Sequence, residues 1–246
     1  MGVVSERGTG EAQDERPPST RRQRSGLVSF VRETVIVVGT ALVLSLLIKT
    51  FLVQAFFIPS PSMEATLVRG DRVLVSQLTP GPFDLKRGDI AVFRDPGGWL
   101  PPSAEQQRGP VSTAVVEGLT FVGVLPQDSG EHLIKRVIGL GGDVVACCDD
   151  EGRLTVNGQP IDEPYVYTGD VPSELTFEVT VPEGRLWVMG DHRSASLDSR
   201  WHQDLAGQGT VSQDLVVGRA FSTIWPIPRW SWLSDYAEVF DPVPDP

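Results

Sequence analysis

The chain has 246 residues, with 32 acidic against 21 basic side chains and a formal net charge of −11, which is enough length for one well-cored domain. That acidic balance lacks the basic stripe that a phosphate backbone needs, so nucleic-acid binding is excluded as a main role. Two cysteines, adjacent at 147 and 148, cannot frame a disulfide-rich scaffold, and neither they nor His192 and His202 show the ligand spacing of a zinc site.

In chain order, residues 1–26 are rich in Gly, Ser, Pro and charges of both signs and read as a disordered cytoplasmic tail. Residues 27–56 read as one transmembrane signal-anchor helix. Thr34 to Ile48 is almost purely apolar, and the run resumes after Lys49 through Phe51-Leu52-Val53 to Phe56-Phe57-Ile58. Together they approach the roughly 20 residues that a bilayer core requires. Lys49 is expected to snorkel toward the outer headgroups. No small-x-small site follows the apolar core, so the segment reads as an uncleaved anchor. Arg21, Arg22, Arg24 and Arg32 precede the apolar run that starts at Thr34, and no Lys or Arg lies between Lys49 and Arg69. Positive residues stay inside, which places the N-terminus in the cytoplasm and everything from Ser60 onward on the outer side of a single-pass membrane protein.

Directly beyond the anchor, Ile58-Pro59-Ser60-Pro61-Ser62-Met63 brings two serines two residues apart, which in an extended segment point the same way. The exported part then reads as short strands over 72–75, 90–93, 133–138, 144–146, 153–156, 175–181, 185–189 and 216–217, bounded by Gly, Pro or Asp. Asn157-Gly158 is a strong hairpin turn. The expected fold class is mainly β, an antiparallel sheet domain over 57–143 and 184–230. A smaller β insertion over 144–183, a long Pro/Gly-rich loop over 95–131 and an acidic C-terminal tail over 231–246 complete the layout. The vicinal cysteines leave two alternatives open, a strained bond between neighbours and a pair of packed thiols. Trp225-Pro226 to Trp230-Ser231-Trp232-Leu233 likewise leaves open a core segment and an amphipathic surface at the headgroup level.

Two features carry chemistry. Lys135 sits in Leu133-Ile134-Lys135-Arg136-Val137-Ile138, and such apolar flanks favour a neutral amine that can accept a proton from a serine. In a strand, Arg136 alternates to the other face, which separates the fixed charge from the lysine. Downstream, Met189-Gly190-Asp191-His192-Arg193-Ser194-Ala195-Ser196-Leu197-Asp198-Ser199-Arg200 packs Asp, Arg and Ser densely enough to tie down a loop through Asp/Arg pairs.

These motifs, in this order with Arg69-Gly70-Asp71, Gly88-Asp89 and Gly142-Asp143 between them, resemble the bacterial type I signal peptidase (leader peptidase) family over roughly residues 30 to 225. The resemblance implies a membrane-bound serine endopeptidase that removes signal peptides from exported preproteins, cleaving after small residues, near the translocation channel and without a cofactor or metal. It implies that Ser62 is the nucleophile, Lys135 the general base and Ser60 a hydroxyl donor to the oxyanion. It assigns Ser196 to hydrogen-bonding the lysine amine, and Asp191, Asp198 and Arg200 to bracing the loop. Ile58, Met63, Leu67 and Ile134 would line pockets for small side chains. The chain departs from the family pattern at Ala65, commonly Pro, and at His192, commonly Asn. A histidine-based triad lacks supporting spacing. A self-cleaving repressor-type protein would need a DNA-binding module that the sequence lacks, and a non-enzymatic anchored β-domain would not need Ser62 and Lys135.

Overall fold

The structure, a computed structural model, describes residue 2 and residues 21–101 and 132–246. Most of the tail and most of the expected 95–131 loop therefore lie outside the described residues. Helix α1 runs Arg21–Phe51. Within it Val28–Leu46, 19 residues, is long and apolar enough to cross a bilayer, and none of it is buried by protein. The helix does not continue to residue 56 as expected. After Leu52 the chain turns into strand β1, Val53–Phe57. The apolar run is continuous there, but β-branched and aromatic residues suit a pleated, half-buried surface, and β1 pairs with β2, Arg72–Ser76.

The remaining strands of the main sheet are β3 (Ile90–Arg94), β4 (His132–Gly139), β9 (Arg185–Met189), β10 (Val211–Ser212), β11 (Val216–Trp225) and β12 (Ser231–Trp232). All neighbours are antiparallel in the order β1-β2-β11-β3-β4-β9-β10, with β12 added to β11. The long strand β11 thus sits between β2 and β3 and joins the two halves of the sheet. Between β4 and β9, which pair with each other, the chain makes the smaller insertion: β5 (Val144–Cys147), β6 (Leu154–Val156), β7 (Gln159–Pro160) and β8 (Phe177–Thr180), ordered β7-β6-β5-β8. Asn157 and Gly158 both have positive φ, as the tight β6–β7 hairpin requires. Cys147 and Cys148 are bonded to each other at the end of β5.

One core cluster joins the insertion to the main sheet, with Val145, Leu154, Val156 and Phe177 against Ile138, Trp187 and Met189. Phe240 and Val243 complete it, so the acidic segment 231–246 reaches the core through these two side chains. Helix α2, Ala237–Phe240, and the residues after it form a strap, and the Pro244 carbonyl accepts from Asn157 Nδ2 at 2.9 Å. A second cluster holds Phe56, Ile58, Met63, Leu67, Val73, Val75, Ile90, Val92, Ile134 and Ala220. The Trp segment is surface rather than core: Trp225, Ile227 and Trp230 are exposed, and Trp232 is 76% exposed.

Candidate active site

Ser62 lies beyond the end of β1, on a turn in which the Thr66 and Leu67 N–H groups both donate to the Met63 carbonyl, at 3.1 and 2.7 Å. This turn rolls Met63 and Leu67 inward to full burial, each side chain contributing about 1.5–3 kcal/mol by leaving water. Ala65, inside the turn, has φ +91°, a region closed to proline, whose ring holds φ near about −65°. Lys135 is mid-strand in β4, which is buried on both faces between β3 and β9. The sheet delivers its Nζ to Ser62 Oγ at 2.5 Å. Ser62 and Lys135 are only 5% and 4% exposed. The Ser60 and Ser62 hydroxyls are 3.2 Å apart, as their two-residue spacing predicts.

Burial pulls the Lys135 ammonium down to about 8, because the charged form loses its water. The Asp198 and Asp191 carboxylates act in the opposite direction, and Arg200 adds to the lowering. Both carboxylates are themselves neutralised. Asp198 takes Arg200 Nε and Nη2, each at 2.9 Å, and the Gly190 N–H at 2.9 Å. Burial pushes the Asp198 carboxyl up, but the Arg200 hydrogen bond and charge outweigh it and hold it below its ordinary range. Asp191 takes Arg136 Nε and Nη2 at 2.9 and 2.7 Å and the Thr66 hydroxyl at 2.5 Å.

Arg136, expected only to face away from the lysine, is fully buried. It also donates to the Gly88 and Ser234 carbonyls and lies over the rings of Tyr165 and Tyr236. The Asp/Arg pairing of the 189–200 loop therefore has one partner, Arg136, that comes from β4.

Other expectations are revised by the geometry. Ser196 lies beside Gly190 and the Ser62 carbonyl, where a Cβ on Gly190 would collide with both. Its hydroxyl is buried and, among the described residues, makes no hydrogen bond, to Lys135 or to any other group. A cavity of about 90 Å³ opens between 56–60 on one side and 132–135 on the other, with Val92 and Leu100 also at its wall. Ile58 and Ile134 line it. Met63 and Leu67 lie in the same core cluster as Ile58 and Ile134 but not at the wall of this cavity. His192 directs its ring to Glu64 Oε2 at 3.4 Å and stacks on Tyr167, while its backbone N–H donates to the Ser62 carbonyl at 3.1 Å.

Residues of the insertion were missed altogether. Glu163 binds Arg193 at 2.6 and 3.0 Å, and Tyr165 covers Arg136. Their only mark in the sequence is a carboxylate and a tyrosine two apart in a polar stretch.

The family model for signal peptidase, peptidase S26, matches residues 31–225. A probable signal peptidase I of Mycobacterium leprae is 37% identical over 239 residues, covering 86% of this chain and 81% of the relative. Signal peptidase I of Mycobacterium tuberculosis is 36% identical over 237 residues, with coverage of 88% and 80%.

Proposed function

The chain belongs to the signal peptidase family, peptidase S26, and we propose that it removes signal peptides from exported preproteins by acyl transfer to Ser62, with Lys135 as general base. The observation that carries this reading is the buried 2.5 Å contact between Lys135 Nζ and Ser62 Oγ, with the lysine lowered to about 8. In its neutral form Lys135 takes the hydroxyl proton as Oγ attacks the scissile carbonyl. Ser60, 3.2 Å from the attacking oxygen, supplies a hydroxyl to the developing oxyanion. Lys135 then returns the proton to the leaving amine, and after that it activates the water that hydrolyses the acyl-enzyme. The cavity between 56–60 and 132–135 suits small side chains ahead of the scissile bond, since Ile58 and Ile134 narrow it beside Ser60 and Lys135.

The pH dependence tests the base. Only the neutral lysine acts, so kcat/KM rises with pH through a single limb near 8, and at pH 7 about one-tenth of the enzyme is competent. The profile is to be recorded on a preprotein substrate for the wild type and for His192→Asn. The limb is expected in both, because the His192 ring faces Glu64 and Tyr167. Loss of activity in His192→Asn would assign proton transfer to the histidine.

We further propose that α1 anchors the enzyme in the plasma membrane with its N-terminus in the cytoplasm. The arginine bias ahead of Val28–Leu46 and the length of that apolar stretch support this. Protease added to intact spheroplasts is expected to digest the exported domain and spare an N-terminal tag. Protection of the domain with an accessible tag would reverse the orientation.

A further inference from the structure

We propose that the β insertion positions the Ser62–Lys135 pair through residues 163–172, with Glu163 as the principal positioning residue; this rests on the Ser/Lys reading above. The 190–200 loop touches the nucleophile directly, through the His192 N–H on the Ser62 carbonyl and the close packing of Gly190 against the same oxygen. What holds that loop in place comes largely from the insertion. Arg193 donates Nε to the Gly190 carbonyl at 2.9 Å, and its other two nitrogens fork onto Glu163 at 2.6 and 3.0 Å. Nη1 also reaches the Pro172 carbonyl at 2.8 Å. The Tyr167 N–H donates to the Asp191 carbonyl at 2.9 Å, and Asp170 accepts from the Ser194 N–H and hydroxyl at 3.0 and 2.8 Å.

A second path from the same segment reaches the lysine strand. The Tyr165 hydroxyl donates to Glu163 at 2.8 Å, and its ring lies 4.2 Å from the guanidinium of Arg136, the residue after Lys135. Glu163 therefore stands where the two paths meet, one leading through Arg193 and Gly190 to Ser62 and the other through Tyr165 and Arg136 to β4. The Arg193–Glu163 pair is almost fully buried. Burying such a pair gains little stability over apolar packing, whereas its fork fixes distance and angle, which suits a positioning role. A serine displaced by about 1 Å from its base loses about a hundredfold in rate, so small movements of this loop matter.

The test uses the full-length chain in detergent micelles with a fluorogenic peptide carrying Ala-x-Ala before the scissile bond. Glu163→Gln keeps the shape of the side chain and removes its charge. We expect kcat to fall about tenfold to a hundredfold while KM changes less than about twofold. Arg193→Gln is expected to add little on top of Glu163→Gln, since both act along one path. Asp170→Asn weakens a more exposed tie and decides the matter if Glu163→Gln does not fold; a severalfold loss in kcat is expected there.

Thermal unfolding of each variant gives the folded fraction at assay temperature. Unchanged kcat in the folded variants, or a loss no larger than the loss of folded enzyme, overturns the proposal if Ser62→Ala is inactive. Activity in Ser62→Ala overturns the underlying Ser/Lys reading instead.

Discussion

Lys135→Arg is expected to be as inactive as Lys135→Ala, with kcat reduced on the order of 10⁴–10⁶-fold. Arginine retains the positive charge but cannot lose its proton under any accessible condition, so it cannot accept the Ser62 proton. The loss does not depend on misfolding, and the check is preprotein cleavage alongside a thermal melt. Arg136→Lys, one residue on, should behave differently. Lysine keeps a charge opposite Asp191 but not the two-pronged contact at 2.9 and 2.7 Å, so the melting temperature falls while measurable turnover survives. Substantial cleavage by Lys135→Arg would assign the base to another group.

Ser62→Ala should form no acyl-enzyme and show essentially no turnover, whereas Ser60→Ala should lower kcat about 10²–10³-fold with KM nearly unchanged. The two hydroxyls are 3.2 Å apart, yet only the Ser62 hydroxyl has Lys135 Nζ as its partner. Ser60 contributes most when the carbonyl oxygen becomes an oxyanion, which is why its loss appears in kcat. Ser60→Thr, which keeps a hydroxyl, should recover part of the rate. Unaltered kcat in Ser60→Ala would remove Ser60 from the mechanism, and equal residual rates for the two alanine variants would overturn the choice of nucleophile.

The lysine strand, the hairpin at Asn157-Gly158 and the Ser60/Ser62 pair were legible because each rests on a local rule: apolar flanks, positive φ or a period of two. Strand β1 was not, since Val53–Phe57 continues an apolar run that fits a helix equally well until β2 offers hydrogen bonds. Only the first two residues of β11 were legible. Gly218 follows them, and register shifts between Val216 and Gly218, between Ala220 and Ser222 and between Thr223 and Trp225 break the alternation. Met63 and Leu67 belong to the core because of a turn that forms only in the folded chain. Glu163 was invisible for a different reason: its partner lies 30 residues away, and nothing local distinguishes it from a solvated carboxylate.

The order of synthesis follows from the place of β11. Ser62 follows β1, and Lys135 belongs to β4, and among the described strands residues 216–225 form the ladder that bridges these halves of the sheet. Arg136 further needs the Ser234 carbonyl and the Tyr236 ring, and Phe240 and Val243 close the core behind them. A chain folded only as far as Lys135 therefore holds both members of the pair but lacks the strand that bridges their halves of the sheet and the residues that pack around Arg136.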